Sequence, residues 1–345
     1  MIRVHREHRL RNGLSSPDVY FLPEYGRAAS VMEGGESVLL EAFDGAWQVP
    51  LIVRTFVDGA KDAVSPYGYS GVYSSPSLSS SQVHEAWSAT VNCLRELGVI
   101  SVLLRHSPLV PQAPHLSEER SITSGHPTIA LELTDSESVW NGMEGRCRTS
   151  IRKALKNGYT ADVRQATGRD IALGGDFRRL YEGTMQRTLA APLYFLGDDY
   201  YMELLDGLGS SLLVAEVRNR VGVVVSATLL MRHAPRLHYH LSGSSMDDAS
   251  MGTNNLMLWA AAQFGIAQGL RQFHLGGGVD PRDDLFKFKR SFGGYELEYG
   301  VSGLIIDHDL YRNHVQNRAK ECDVTTETLL ASHYFPAYRG GTARV

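Results

Sequence analysis

The stretch LFKFKRSFGG, residues 285–294, combines three cationic side chains with three phenylalanines and ends in two glycines. Lys287, Lys289 and Arg290 are unusual in so apolar a run, because a charged group loses hydration there. A cation held in a dry site stabilises a developing negative charge far more strongly than a cation in water does. The stretch therefore indicates either a site for an anionic intermediate or an ordinary strand with one hydrated face.

The alternation of residue types in this stretch predicts a β-strand. On a strand, Lys287 and Lys289 share one face, and Phe286, Phe288 and Arg290 share the other. Lysines that point to water along an edge strand protect it from pairing with another chain. Taken alone, the pattern favours this structural role.

A second cationic cluster lies in RCRTSIRKALKNG, residues 146–158, which contains no acidic residue. On a helix, Arg148, Arg152 and Lys156 recur at i, i+4 and i+8 and form one stripe. Such a stripe suits a phosphate-bearing partner, and the alternative is a solvated helix face. The run has no interleaved aromatic residue, so it favours phosphate contacts over base stacking.

Two parts of the chain repeat the same order of elements. Residues 37–56 and 211–231 each have the pattern of two β-branched strands joined by a polar turn. A segment rich in Tyr, Ser and Gly follows each pair, and then a helical pattern, at residues 83–98 and 254–269. Each helical pattern ends at a glycine and leads into a short apolar strand.

The spacing of equivalent residues in the two parts agrees closely. Tyr239 follows Tyr67 by 172 positions, and Gly269 follows Gly98 by 171. The predicted fold class is therefore α/β of the α+β type, with two tandem units whose mixed, mostly antiparallel sheets are flanked by helices. We place the first unit at residues 1–145 and the second at 146–304, and expect residues 305–345 to pack back on the first.

Composition excludes several classes of protein. The 345 residues carry 34 cations and 38 anions, which argues against a general nucleic-acid coat but leaves a local basic patch open. No apolar run reaches the length of a membrane span, and the basic N-terminus lacks the apolar stretch of a secretory signal. The three cysteines are far apart and in no metal-ligand spacing, so we expect reduced thiols, no metal site and a cytoplasmic location.

The order of elements resembles the acyltransferase fold of the GNAT superfamily, duplicated in tandem. More specifically, stretches between residues 64 and 294 resemble the FemABX family of aminoacyltransferases. They are VSPYGYSG with LLRHSPL, GRCRTSIRKALKNGY, LYEGTMQRTLAAPLYF, and HLGGG with FKFKRSFGG. The long helical arm of some members is absent.

The resemblance implies an enzyme that uses aminoacyl-tRNA as co-substrate, with no other cofactor. Such an enzyme forms a peptide bond on an amine-bearing peptide or nucleotide-linked acceptor, as in cell-wall precursors or peptide antibiotics. It implies catalytic roles for Lys289, as the cation beside the ester carbonyl, and for Phe288, which packs the acceptor or the tRNA end. The implied substrate-binding residues are Arg187, Tyr194, Tyr239, Tyr67 and Arg105. The implied tRNA- or phosphate-binding residues are Arg148, Arg152, Lys153, Lys156, Lys287 and Arg290.

Two alternatives stay open from the sequence. One is an N-acyltransferase that uses acyl-CoA. GNAT enzymes hold the CoA pyrophosphate at a glycine-rich turn before a helix, whereas this chain has DDASMGTNN there, with one glycine and two acids. The other is a non-catalytic binding module that keeps the fold, against which the Phe-Lys pair argues.

Overall fold

The computed structural model describes residues 2–6, 16–113, 120–278, 280, 282–332 and 334–341. The chain divides into two compact units. Unit 1 consists of Met1–His126 and Glu298–Val345, and unit 2 of Pro127–Leu297. These divisions fall earlier in the chain than the predicted ones at 145 and 304. Each falls inside a long strand, where the residue pattern shows no break.

The strands of the described residues are, in chain order, β1 (Arg3–Arg6), β2 (Glu36–Ala42), β3 (Trp47–Thr55), β4 (Lys61–Val64), β5 (Tyr73–Ser74), β6 (Val99–Arg105), β7 (Arg120–Glu132), β8 (Thr160–Gln165), β9 (Leu212–Arg218), β10 (Val224–His233), β11 (Arg236–Ser244), β12 (Gln272–Gly276) and β13 (Tyr295–Ile305). The α-helices are α1 (Pro23–Glu33), α2 (Ser80–Glu96), α3 (Ser136–Gly142), α4 (Gly145–Lys156), α5 (Gly168–Ile171), α6 (Asp176–Arg187), α7 (Asp198–Leu208), α8 (Thr253–Ala267), α9 (Asp284–Arg290), α10 (His308–Glu321) and α11 (Thr326–Ala331).

The two units contain sheets with the same succession of pairings. In unit 1 the order is β1–β2–β3–β4–β6–β13, and in unit 2 it is β8–β9–β10–β11–β12–β7. In each sheet the fourth and fifth strands are parallel, and the other neighbours are antiparallel. The parallel pair is joined by a crossover helix, α2 or α8, as parallel strands require. The predicted duplication of one α/β architecture is confirmed.

The two crossover helices begin and end where local sequence directs them. Ser79 caps α2 by accepting from the backbone N–H of Gln82, whose side chain caps Ser79 in return. After the helices, Gly98 and Gly269 have φ angles of +75° and +68°, a conformation that costs glycine little. Both glycines were recognised from the sequence as helix stops.

Each sheet is covered on both faces. In unit 1, α2 packs Val83, Trp87 and Leu94 against β3 and β6, and α10 packs Tyr311 and Val315 against Ile100 on the other face. In unit 2, α3, α4, α8 and α9 share one apolar core with β7 and β9–β12. The other face of unit 2 carries α6 and α7, with the buried aromatic residues Phe177, Tyr181, Tyr200 and Tyr201. The core on the α8 side is the one that surrounds Lys289.

Candidate active site

The stretch around Lys289 is a helix, and the predicted strand is wrong. The carboxylate of Asp283 caps α9 by accepting from the backbone N–H of Phe286 at 2.7 Å. Helical spacing then places Phe286 and Lys289, three residues apart, on the buried side. The apolar residues fit a period of three to four as well as a period of two. The choice between these periods depends on the helix cap and on packing against the unit 2 core.

Helix formation separates the two lysines that a strand would have placed together. The ammonium of Lys287 is exposed and pairs with Asp284 at 2.9 Å. Arg290 is also exposed, and its Nε lies 3.5 Å from the carboxylate of Glu296. These two cations, expected to contact phosphate, therefore each have an acidic neighbour on the protein surface.

Lys289 is buried, with 5% of its surface exposed. Its Nζ donates to the carbonyl oxygen of Gly277 at 2.6 Å and lies 5.2 Å from the ring centroid of Tyr239. Burial removes hydration from the ammonium and lowers the pKa of Lys289 to about 7, against a weaker opposing effect of Asp283. At neutral pH both protonation states of this side chain are therefore populated.

The buried ammonium lies where two parallel strands stop pairing. The register of β11 with β12 ends at the pair His238–His274. Beyond it β11 continues to Ser244, and β12 ends at Gly276. Tyr239 is the next residue of β11, and Gly277 is the next residue after β12, so Lys289 contacts both sides of this fork. Backbone groups along a fork can pair with an extended ligand.

In unit 1 the equivalent parallel strands stay paired. After the last β4–β6 pair, Val64 with Leu103, the N–H of Ser65 donates to the Leu103 carbonyl at 2.8 Å, and that of Ser70 donates to the Arg105 carbonyl at 3.0 Å. The chain of unit 1 thus stays hydrogen-bonded to β6 beyond the last residue pair of the two strands. The unit that carries Lys289 is therefore the better candidate for the chemistry.

Two of the predicted substrate-binding residues, Tyr67 and Arg105, belong to unit 1. The guanidinium of Arg105 donates to the carbonyl of Ser65 at 2.8 Å and pairs with Glu33 at 3.1 Å. The carbonyl of Tyr67 accepts from the hydroxyl of Tyr25 at 2.6 Å. Within unit 1 these contacts close the region beyond β4, and the substrate-binding roles of both residues stay predictions.

The glycines after β12 allow the close approach that positions the Gly277 carbonyl. A Cβ on Gly277 would lie 2.7 Å from the carbonyl oxygen of Pro127, and a Cβ on Gly278 would lie 2.0 Å from the Asp283 carboxylate. A side chain at 277 would force two backbone segments apart, and one at 278 would displace the Asp283 carboxylate. Glycine at these positions thus permits the close approach.

Phe288 lies beside Lys289 with its ring half-buried and packed against the unit 2 core. Its ring contacts that of Phe292 edge-on, with centroids 5.5 Å apart. The carbonyl of Phe288 accepts from the Ser291 hydroxyl at 2.6 Å, which tightens the end of the helix. Part of the Phe288 side chain remains exposed to solvent.

The predicted cationic stripe forms on α4, but its members have different environments. Arg148 is half-buried, and its Nη1 donates to the carbonyls of Trp140 and Asn141 at the end of α3. Lys153 donates to the Ser250 carbonyl at 2.9 Å. Arg152 and Lys156 are exposed. Arg148 therefore has a structural contact, and Arg152 and Lys156 remain as the surface cations.

Arg187 and Tyr194 lie at the end of α6 and in the segment that follows it. The exposed guanidinium of Arg187 donates to the Thr184 hydroxyl at 3.2 Å and to the Ser244 carbonyl at 3.3 Å. Its contact with Ser244 places it at the far end of β11. The Tyr194 carbonyl accepts from the hydroxyl of Tyr181 at 2.9 Å, and the Tyr194 side chain is half-buried.

Sequence reasoning missed two residues of unit 2. Asp283 caps α9 and borders Gly278. An acid three residues before a buried position was the available signal for a cap. Trp140 lies beneath Arg152, at 5.1 Å, and nothing in the sequence links these positions.

The sequence and structure comparisons agree on this part of the chain. Residues 145–290 match the family model described as "Acetyltransferase (GNAT) domain". The matched residues all lie within unit 2. This match indicates a transferase of the acyltransferase type, and it ends at Arg290, so it includes Lys289. No curated protein matches the chain by sequence.

Solved structures share the fold at low sequence identity. The crystal structure of FemX is 15% identical, covers 90% of this chain and 99% of its own, and has a TM-score of 0.68. The C-terminal domain (DUF2156) of a putative lysylphosphatidylglycerol synthetase from Agrobacterium fabrum is 15% identical and has a TM-score of 0.54. The match covers 80% of this chain and 87% of that domain. The L-PGS structure from Bacillus licheniformis is 14% identical and has a TM-score of 0.55. The match covers 85% of this chain and 93% of that one.

Neither a metal site nor a membrane-spanning helix is found within the described parts of the chain. No group of three or more His, Cys, Asp or Glu side chains is arranged to hold a metal ion there. No helix in those parts combines the length and apolarity needed to span a membrane.

Proposed function

We propose that the GNAT domain of unit 2 is an aminoacyltransferase that takes an amino acid from aminoacyl-tRNA. The acceptor is an amine of a peptide or a nucleotide-linked peptide, of the type found in cell-wall precursors or peptide antibiotics. The observation that carries the proposal is the burial of Lys289 at the fork between β11 and β12, beside Tyr239 and the Gly277 carbonyl.

Amide formation from an activated ester needs little covalent help from an enzyme. The amine attacks the ester carbonyl, and negative charge develops on the carbonyl oxygen. An ammonium group in a dry site stabilises that oxygen more in the transition state than in the ground state. Protonated Lys289 is suited to this role because protein, not water, surrounds it.

Tyr239 gives this ammonium an aromatic neighbour, and Phe288 precedes Lys289 in α9. The half-buried ring of Phe288 provides a surface for the acceptor or for the terminal adenosine of the donor. Tyr239 presents its ring face to the ammonium at 5.2 Å, an attraction that holds the cation in place. Arg187, at the far end of β11, is exposed and suited to bind an acceptor carboxylate or phosphate through its planar group.

A second candidate is an N-acyltransferase with an acyl-CoA donor, which the match to an acetyltransferase model favours. The start of α8 argues against it. Gly252 lies so close to α4 that a Cβ there would be 2.4 Å from the Ser150 carbonyl, and Thr253 is fully buried. The helix N-terminus that would hold a pyrophosphate is thus covered by α4, and Asp247 and Asp248 precede it.

A donor screen tests the proposal. Radiolabelled aminoacyl-tRNAs and acyl-CoAs are each incubated with a panel of amine acceptors, with wild type and Lys289→Met in parallel. We expect transfer from aminoacyl-tRNA that depends on Lys289. Transfer from acyl-CoA alone would favour the second candidate. Transfer from neither donor, with acceptor binding that is equal in both proteins, would favour a binding module.

A further inference from the structure

A cation and an aromatic ring from separate helices form one surface of unit 2. The guanidinium of Arg152, on α4, lies over the indole ring of Trp140, on α3, at 5.1 Å from the ring centroid. Trp140 is half-buried and Arg152 is exposed. Because the central carbon of the guanidinium lies over the indole ring, the side of Arg152 that faces away from the ring is the one that solvent reaches. The pair supplies the aromatic component that the cationic run lacks in sequence.

The pair is held in place by the core beneath it. The ring of Trp140 lies 5.3 Å from that of Trp259 on α8, which is 8% exposed. Arg148 donates to the carbonyls of Trp140 and Asn141 and so holds the end of α3 against α4. A surface fixed in this way loses little conformational freedom when a ligand binds.

The charges around the pair favour an anionic partner. Lys156 is exposed one helical turn beyond Arg152. Within the described residues no ion pair involves Arg152 or Lys156, and Glu144 is paired with Arg146 at 2.7 Å. Glu137, one turn before Trp140 on α3, is the acid that remains nearby. The surface therefore presents a planar cation and a second, point-like cation.

We infer that Arg152, stacked on Trp140, and Lys156 bind an unpaired stretch of RNA. A base stacks on the outer plane of the Arg152 guanidinium, and the ammonium of Lys156 contacts an adjoining phosphate. Arginine planes and aromatic rings bind bases that are free of a duplex, since paired bases already stack on one another. The inference rests on the proposed function, in which this RNA is the unpaired 3′ end of the donor tRNA.

An anionic membrane surface is the other partner that a cationic patch could contact. Lipid phosphates would engage Arg152 and Lys156 by charge alone. They would leave the contact of Arg152 with Trp140 without a use. This pair of a cation and an aromatic ring thus favours RNA, and vesicle binding serves as an outcome that would contradict it.

The test uses the full chain and deacylated RNA, so that binding is measured apart from transfer. The probes are a single-stranded RNA that ends in CCA, a duplex of the same length, and vesicles that contain phosphatidylglycerol. Trp140 is half-buried, whereas Trp47, Trp87 and Trp259 are buried, so quenching of tryptophan fluorescence reports mainly on Trp140. Affinities are measured at several salt concentrations.

The variants separate stacking from charge. Trp140→Leu and Arg152→Lys should each weaken single-strand binding by about 5- to 100-fold, the range for loss of one base stack, with little change in the salt slope. Lys156→Gln should also weaken binding, and it should reduce the salt slope by roughly 0.7, the value for one phosphate contact on a single strand. The matched control is Arg312→Gln with Lys320→Gln, two exposed cations on α10 of unit 1, which should bind as wild type.

The outcomes distinguish this inference from the proposed function. Transfer from aminoacyl-tRNA by wild type, with unchanged RNA affinity in Trp140→Leu and in Arg152→Lys, would overturn the stacking surface alone. If Trp140→Leu does not fold, the RNA affinity of Arg152→Lys, a substitution at an exposed residue, decides the test. A wild type that prefers the duplex or the vesicles would also overturn it. A wild type that binds no RNA and transfers only from acyl-CoA would overturn both.

Discussion

The ammonium of Lys289 lies 5.2 Å from the ring centroid of Tyr239, where β11 leaves the strand beside it. The two side chains come from β11 and α9, which are separated along the chain by α8 and β12. Lys289 is the buried titratable residue of α9. A buried cation is unfavourable for folding.

Replacement of Lys289 by Met keeps the length of the side chain and removes the charge. We expect kcat to fall by roughly 10²–10³-fold, the size of effect seen when one oxyanion donor is lost. Donor affinity should change much less, because the charge that is stabilised exists mainly in the transition state. Single-turnover rates with the correct donor measure this. Lys287→Met, an exposed neighbour, should keep most of the rate, and an equal loss in both variants would contradict the assignment.

The same substitution should stabilise the fold near neutral pH. The pKa of Lys289 falls from 10.5 to about 7 on folding, so between these values the unfolded chain binds the extra proton and wild-type stability rises with pH. The Met variant lacks this dependence. Its free energy of unfolding should exceed that of wild type by about 3–5 kcal/mol below pH 7. This difference should shrink towards pH 10. Denaturant unfolding across this pH range measures it, and a variant less stable than wild type at pH 7 would count against a buried ammonium.

The pH dependence of the rate identifies which form of Lys289 acts. If the protonated form stabilises the carbonyl oxygen, the single-turnover rate of wild type should fall as pH rises above about 7. Lys289→Arg, which stays charged, should lack that alkaline decrease on the same acceptor. Comparison of the two proteins removes the contribution of the acceptor amine. A wild-type rate that rises through pH 7 and loses this rise in Lys289→Arg would instead assign Lys289 as a base.

Asp283 is expected to position Lys289 without contact with the substrate. Its carboxylate caps α9 at the N–H of Phe286 and borders Gly278. Asp283→Ala should lower kcat by about tenfold and stability by about 1 kcal/mol, the usual cost of a lost cap. The pKa of the alkaline decrease in rate should also shift, because the charge of Asp283 affects the pKa of Lys289. Asp284→Ala, the exposed neighbour, is the control, and equal effects in both would exclude a specific role for Asp283.

The stability of unit 1 should depend on Asp62. This buried carboxylate accepts from Arg54 at 2.8 Å and from Arg339, near the end of the chain, at 2.5 Å. Asp62→Asn keeps the shape, removes the charge that pairs with Arg339, and leaves Arg54 with Glu33 at 3.8 Å. We expect a loss of about 3 kcal/mol or more, measured by thermal unfolding. Glu321→Gln, whose exposed carboxylate pairs with Arg318, should cost less than about 1 kcal/mol; a similar loss there would refute the special role of Asp62.

The sequence alone determined the repeated architecture and the ends of its crossover helices. Strand pairs, polar turns and the glycines at positions 98 and 269 are local signals, since backbone conformation and alternation of apolar residues act over a few residues. The identity of Lys289 as the candidate cation also came from sequence, through the family resemblance of the stretch that contains it.

Tertiary structure decided what the local pattern left ambiguous. The run around Lys289 fits both a strand and a helix, and the cap at Asp283 with the core contact of Phe286 selects the helix. The strands at the division between the units pair with partners far away in sequence, so no local signal marked their place. The contact of Arg152 with Trp140 likewise depends on how α3 packs on α4. Packing brings together residues whose separation along the chain carries no information about their distance in space.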